Sequence, residues 1–260
     1  YAIPAGYKSL LLGDLAAVEE ALISLRELLE AAEESYWMTR GLDWLEVDLL
    51  RYQGELAQVI EGLQSLRTEA REAGALGMLA RQNVNLARVC IWEKIGEEEE
   101  IEAVLQEMLE LGARGMGEAV LALCLLSVQR ARQGEPGAAH GLLGEAREQA
   151  AEQGELVRRE PDLSWAEANV ALAEGQWTDA LAAFEATVDT MTQRKWHWRR
   201  ARTLVDWAEA HLARGESGDR QRAEELLREA EAEFETMGAH GYVERVKERL
   251  EELSAGSSTV

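Results

Sequence analysis

The sequence predicts an all-α fold: a right-handed α-solenoid superhelix of about six helix pairs, ended by a C-terminal capping helix. Three observations predict it. Glycines recur at Gly13, Gly54, Gly96, Gly134, Gly175 and Gly215, at intervals of 41, 42, 38, 41 and 40 residues. An apolar segment precedes each and an amphipathic one follows. Glycine suits the left-handed conformation that ends a helix before a sharp reversal, and a period near 40 across the chain marks a stacked repeat. Second, the 260 residues are 47% hydrophobic and 29% charged, with Ala, Leu, Glu and Arg dominant. These are strong helix formers in globular proportions. Third, no window alternates apolar and polar residues with β-branched enrichment, so no sheet is expected.

Residues 1–253 are expected to form a single repeat domain, with units at about 1–33, 34–74, 75–113, 114–154, 160–194 and 195–237. In the first unit a short helix near Tyr7–Leu12 precedes Gly13. The next helix carries Leu15, Val18, Leu22, Leu25 and Leu29 at spacings of three and four, an apolar stripe. A chain that opens on Tyr1 with half a first unit is expected to be a piece of a longer array. The second unit pairs helices near Ser35–Gln53 and Glu55–Ala73, the third Leu76–Ile95 and Glu97–Leu111. The acidic run Glu97–Glu100 suits a helix start, where the dipole favours negative charge, better than a metal site. The fourth unit pairs Gly117–Arg132 with Glu135–Gln153, and Pro136 falls in a first turn that tolerates it. The loose cluster Gly112, Gly115 and Gly117 follows no strand and reads as a turn.

The fifth unit, from Pro161, turns at Gly175 and continues through Ala180, Phe184 and Val188. The sixth pairs Lys195–Arg214 with Arg220–Met237. A helix at 241–253 sets Val243, Val246, Leu250 and Leu253 on one face and Glu244, Arg245, Lys247, Glu248 and Arg249 on the other. That suits a terminal cap with one side lacking a neighbour. Residues 254–260 read as a flexible tail.

The formal net charge of −22 disfavours nucleic acid and anionic membrane as partners. No apolar run reaches membrane-spanning length, and neither a membrane span nor a signal peptide is expected. Two cysteines make no disulfide framework, so a reducing, cytoplasmic compartment is expected.

The fifth unit resembles a tetratricopeptide repeat. Ala168, Ala171, Gly175, Ala180 and Phe184 fill the small and aromatic positions of that motif, Trp177 takes the aromatic place after the turn, and Thr187 stands where a last Ala is expected. The sixth unit supplies Ala208, Gly215, Ala223, Leu227 and Ala230, the fourth Gly134, Ala139, Leu143 and Ala146. The second and third match less well, with Val59 and Ile101 at the small-residue site. The period exceeds the usual one, and the array is similar to the C-terminal repeat domains of bacterial multidomain signalling ATPases: maltose-activator-class LuxR-type regulators, nucleotide cyclases and related kinases.

No phosphate loop, HExxH, CxxC or nucleophile elbow occurs, and His140, His197, His211 and His240 stand far apart, so no enzyme, metal site or cofactor is expected. What remains is surface. The resemblance implies that first helices line a concave groove. The corresponding positions are Trp44 and Asp48, Leu86 and Cys90, Cys124 and Val128, Trp165 and Asn169, and Val205 and Glu209. The groove tryptophans are interface-anchor candidates, against the plainer account of packing between repeats. Trp92 and Trp207 fall at core positions. A Lys–Asn clamp for a terminal carboxylate is not carried over, because Trp165 stands in place of the Lys. Cys90 and Cys124 are expected as buried apolar residues before a redox pair.

The stretch Arg194–Arg200 (RKWHWRR) is the one basic, aromatic segment in an acidic chain. It suits an anionic peptide, a nucleotide or an acidic face of another subunit, or it merely balances local charge. Trp165, Asn169, Trp198 and Arg202 are expected to share the concave side, with Arg199 beside them. The chain is therefore read as a non-catalytic protein- or peptide-interaction module of a larger bacterial signalling or regulatory protein. Other domains of the parent or a second copy of the chain are among the candidate partners. The second reading is a small-molecule-sensing domain with an effector in the groove, the third a structural or oligomerising spacer.

Overall fold

The chain was analysed as a computed structural model that describes residues 6, 8–10, 12–31, 36–111 and 117–255. Among these the fold is all-α, with no strand. Residues 6, 8–10 and 12 are helical ahead of Gly13. Twelve longer helices follow, from 13 to 19 residues each. They are α1 (Leu15–Ala31), α2 (Tyr36–Gln53), α3 (Leu56–Glu72), α4 (Leu76–Glu93), α5 (Glu98–Glu110) and α6 (Gly117–Arg132). The others are α7 (Pro136–Glu152), α8 (Leu156–Ala173), α9 (Trp177–Arg194), α10 (His197–Arg214), α11 (Asp219–Met237) and α12 (His240–Ala255).

These are repeated helix hairpins. All six glycines of the periodic series have φ between 70° and 92°. The turn at Gly175 shows why. Gly175 N–H donates to Leu172 O at 3.1 Å and Gln176 N–H to Ala171 O at 2.9 Å, the paired closure of a left-handed helix end. The connections between repeats close the same way, at Gly74, Gly154 and Gly238 and also at Lys195, whose φ is 57°. The small residues of the motif lie inside: Ala139, Ala146, Ala180, Ala208, Ala223 and Ala230 are all 0% exposed. So is Thr187, whose hydroxyl donates to Ala183 O at 2.7 Å and needs no further partner in the core.

One boundary differs from expectation. α8 begins at Leu156, so Pro161 sits inside it rather than opening it. The first turn is already secured ahead of the proline, with Arg159 N–H donating to Glu155 O at 2.9 Å. The expected turn over Gly112 and Gly115 falls outside the described residues, and the expected tail is described only to Ala255.

The chain separates into two compact units, residues 60–187 and residues 1–59 with 188–260. In the first, α6 packs against α4, α5, α7 and α8. Every residue from Ala119 to Gln129 is buried, so this helix has no solvent face to pattern. A polar network joins α3, α4 and α5: Asn83, fully buried, accepts from Arg67 Nε at 2.6 Å and donates to Glu107 at 2.9 Å.

In the second unit α1 is capped by Asp14, whose Oδ1 accepts from Ala17 N–H at 3.1 Å. Its stripe Leu15, Val18, Leu22 and Leu25 is buried, and the helix packs on α2. α10 packs on α11, α11 on α12, and α12 returns to α2. The two backbones meet closely there: a Cβ on Gly241 would lie 2.8 Å from the Gln53 carbonyl oxygen and 3.1 Å from Gly54 C. The charged face of α12, expected to lack neighbours, is engaged as well. Arg249 makes a bidentate pair with Glu209 of α10 at 2.7 and 2.9 Å, Lys247 reaches Glu235 at 3.0 Å, and Arg245 donates to Gly54 O at 3.4 Å.

Candidate functional site

The proposed groove residues divide between the two units. In the unit of residues 60–187, Trp165 is 4% exposed and sets its ring edge-on to Trp92, with centroids 5.7 Å apart. Asn169 is buried and donates through Nδ2 to Trp165 O at 2.9 Å, so its amide serves its own helix. Leu86, Cys90, Cys124 and Val128 are buried too. Both thiols are free, and burial pushes both pKa values up, which keeps them protonated and poorly nucleophilic.

In the other unit, Trp198 is 1% exposed. Its ring lies 4.6 Å from Tyr52 and 5.4 Å from Tyr242, and Tyr242 stacks on Phe234 at 4.8 Å. Asp48 is buried and accepts from Arg51 Nε at 3.0 Å. The Arg51 guanidinium sits 4.8 Å from the Tyr52 centroid and 5.3 Å from that of Trp198. Burial works against the Arg51 charge, and Asp48 with the two tyrosines more than restores it, so its pKa lies above the ordinary value. Arg202 is buried and bonded to Asp206 Oδ1 at 2.8 Å.

The expectation of an exposed aromatic floor is therefore corrected at Trp165 and Trp198, and that of a cationic rim at Arg202. The cause is packing. Trp198 begins a stripe with Ala201, Leu204 and Ala208, all buried, that faces the core of the unit. Trp44 and Arg199 keep partly exposed side chains.

What stays accessible in the basic stretch is the turn between α9 and α10. Lys195, in the left-handed conformation, and His197 are exposed. Between them Trp196 is half-buried, off the Trp198 stripe, with the Arg194 guanidinium 5.0 Å and the Arg199 guanidinium 5.2 Å from its ring centroid. Cations near an indole face gain from the ring quadrupole. The neighbouring Arg200 is spent on structure: its Nε donates to Thr192 Oγ1 at 2.8 Å, and its Nη atoms pair with Glu229 and Glu233. Trp196 was legible in sequence by its i,i+3 spacing to Arg199 and by its phase against the Trp198 stripe.

A second buried polar group clasps the α10–α11 turn. Asp219 takes Arg214 Nη2 at 2.6 Å, His211 Nδ1 at 2.7 Å and Glu216 N–H at 2.8 Å. The Arg214 hydrogen bond, with those of His211 and Glu216, holds its carboxyl well below the usual carboxylate range. Among the described residues no group of three His, Cys, Asp or Glu side chains could hold a metal ion. No described helix is long and apolar enough to cross a membrane.

No family model matches the chain, and no curated protein matches it. Among solved structures it is similar to a Rap protein crystallised in complex with competence and sporulation factor. The identity is 10%, the match covers 98% of this chain and 97% of that one, and the TM-score is 0.45. Ten per cent identity transfers no residue role.

Proposed function

We propose that the chain is a non-catalytic protein- or peptide-interaction module of a larger signalling or regulatory protein, and that the α9–α10 turn binds a carboxylate-rich segment of its partner. The observation that carries this reading is Trp196, half-buried, with the Arg194 and Arg199 guanidiniums 5.0 and 5.2 Å from its ring centroid. Tryptophan and arginine together make effective interface anchors. Lys195 and His197 add donors on either side. In a chain of net charge −22 such a patch stands out locally: an acidic segment is repelled at long range and held at short range. Arg199 and Trp44, the partly exposed members of the groove set, complete the candidate contacts.

Anisotropy of a fluorescein-labelled hexaglutamate peptide tests this. Saturable binding is expected, weakened about tenfold or more in Trp196→Ala and in Arg199→Ala, since losing an interface anchor typically costs ~2 kcal/mol or more. Binding that is equal in the parent and both variants, or absent throughout, refutes it.

A further inference from the structure

Residues 60–187 enclose a cavity of ≈ 510 Å³ bounded by α3, α4, the Gly96 turn and α5. Its size falls within the range of small-molecule sites. Its walls are mainly apolar, with Ile60, Leu86, Ala87, Cys90, Ile101 and Val104, and Gln64 is a polar member. Glu97 and Glu100 also line it. We propose that this cavity binds a small organic cation, a protonated amine carried on an apolar body.

The charge balance of the lining selects the sign. The glutamates of this region divide by task. Glu98 accepts from Gln133 Nε2 at 3.3 Å, and Glu102 is paired with Arg130. Glu97 and Glu100, the two that line the cavity, are exposed and make no side-chain hydrogen bond or ion pair among the described residues. Arg67 lines the cavity as well, and its charge is only partly met, by Glu107, which it shares with Arg71. Its Nε donates to Asn83 Oδ1 at 2.6 Å and its Nη2 lies 3.4 Å from Glu107 Oε2. The positive end of α5 is met by Glu98, Glu99 and Glu100 in its first turn, three full charges against about half of one. The mouth is left net negative.

The apolar depth selects the body. Burial raises the Cys90 thiol pKa, and Glu100 adds to that rise. Gly96, at φ 84°, borders the cavity: a Cβ there would make ordinary contacts, 3.5 Å from Cys90 Sγ and 3.9 Å from Ile101 Cδ1. A cationic head between Glu97 and Glu100 can thus extend an apolar group over Cys90 and Ile101. None of the residues of the α9–α10 turn takes part, so this site stands apart from the partner-binding reading.

The test is a titration of phenethylammonium into methyl-labelled protein, followed by NMR. Saturable shifts are expected at the methyls of Ile60, Leu86, Ile101 and Val104. Phenylpropionate, with the opposite charge, and methylammonium, with no apolar body, should not reproduce them. Glu97→Gln with Glu100→Gln should weaken binding about five- to tenfold, the worth of two partly exposed ion pairs. A control pair on α12, Glu244→Gln with Glu248→Gln, should leave it unchanged. The proposal is overturned if phenylpropionate binds as well, if methylammonium gives the same shifts, or if these methyls do not respond up to the solubility limit. Undiminished binding in the Glu97→Gln, Glu100→Gln protein also overturns it.

Discussion

Replacing Gly241 by alanine should destabilise the protein, although the same change inside a helix ordinarily stabilises it. Gly241 is the second residue of α12. Alanine for glycine within a helix contributes roughly 0.5–1 kcal/mol through backbone entropy. At Gly241 the new Cβ would lie 2.8 Å from Gln53 O and 3.1 Å from Gly54 C and Cα. These are backbone atoms of the α2–α3 turn and cannot rotate aside. Relief requires α12 to move off α2, which loosens Arg245 from Gly54 O and Tyr242 from the Trp198 ring. Overpacking of this kind costs typically ~1–3 kcal/mol, so the net loss should be about 0.5–2 kcal/mol after the entropic gain. Gly144, mid-way along α7, is the internal control: exposed, with nothing within 4 Å of a Cβ built on it. Gly144→Ala should stabilise by about 0.5–1 kcal/mol. Urea melts followed by circular dichroism and tryptophan fluorescence read both. A Gly241→Ala protein as stable as the parent would show that α2 and α12 do not meet as described.

Other outcomes follow from the same contacts. Trp198→Ala should cost ~3–5 kcal/mol, as removal of a buried aromatic does, while Trp196→Ala should stay within about 0.5–1 kcal/mol; thermal melts with equal effects would contradict the assignment of one to core and the other to surface. Ala180→Trp should overpack a fully buried position by ~1–3 kcal/mol or more, and an unchanged melting temperature would show the wrong face was chosen. Asp219→Asn should cost about 1.5–3 kcal/mol at neutral pH, the worth of a charged hydrogen-bond set. Because the folded Asp219 pKa is depressed, its contribution is present above the unfolded value of ~3.9 and is lost as pH falls below it. The stability gap between parent and Asp219→Asn should therefore close in acid, and a gap independent of pH from 7 to 2 would refute this.

Much of the fold was legible because it rests on short-range chemistry. The α1 stripe shows in the spacing of Leu15, Val18, Leu22 and Leu25, and the buried crossings in Ala180 and Ala223. Both follow from local periodicity and small-residue packing. The start of α8 was missed at Pro161, yet the signal was present: Gln-Gly-Glu stands at residues 53–55, 133–135 and 153–155, and each marks a helix reversal. The candidate site was less legible. An i,i+4 spacing identifies one face of a helix but not whether another element covers it. Trp198 is covered by Tyr52, some 146 residues earlier in the chain, and by Tyr242. That coverage depends on α12 returning to α2, which no local pattern announces. Helix α6 is buried all round by its neighbours from Ala119 to Gln129, so it has no solvent face for a local pattern to show.

The central functional claim is that Trp196, and not the buried tryptophans, meets an acidic partner segment. Fluorine NMR of protein labelled with 5-fluorotryptophan tests it most directly, with the Trp196 resonance assigned by its loss in Trp196→Phe. Titration with hexaglutamate should shift that resonance saturably and leave those of Trp165 and Trp198 in place. A Trp196 signal that stays fixed, or resonances of all eight tryptophans moving together, would contradict the account.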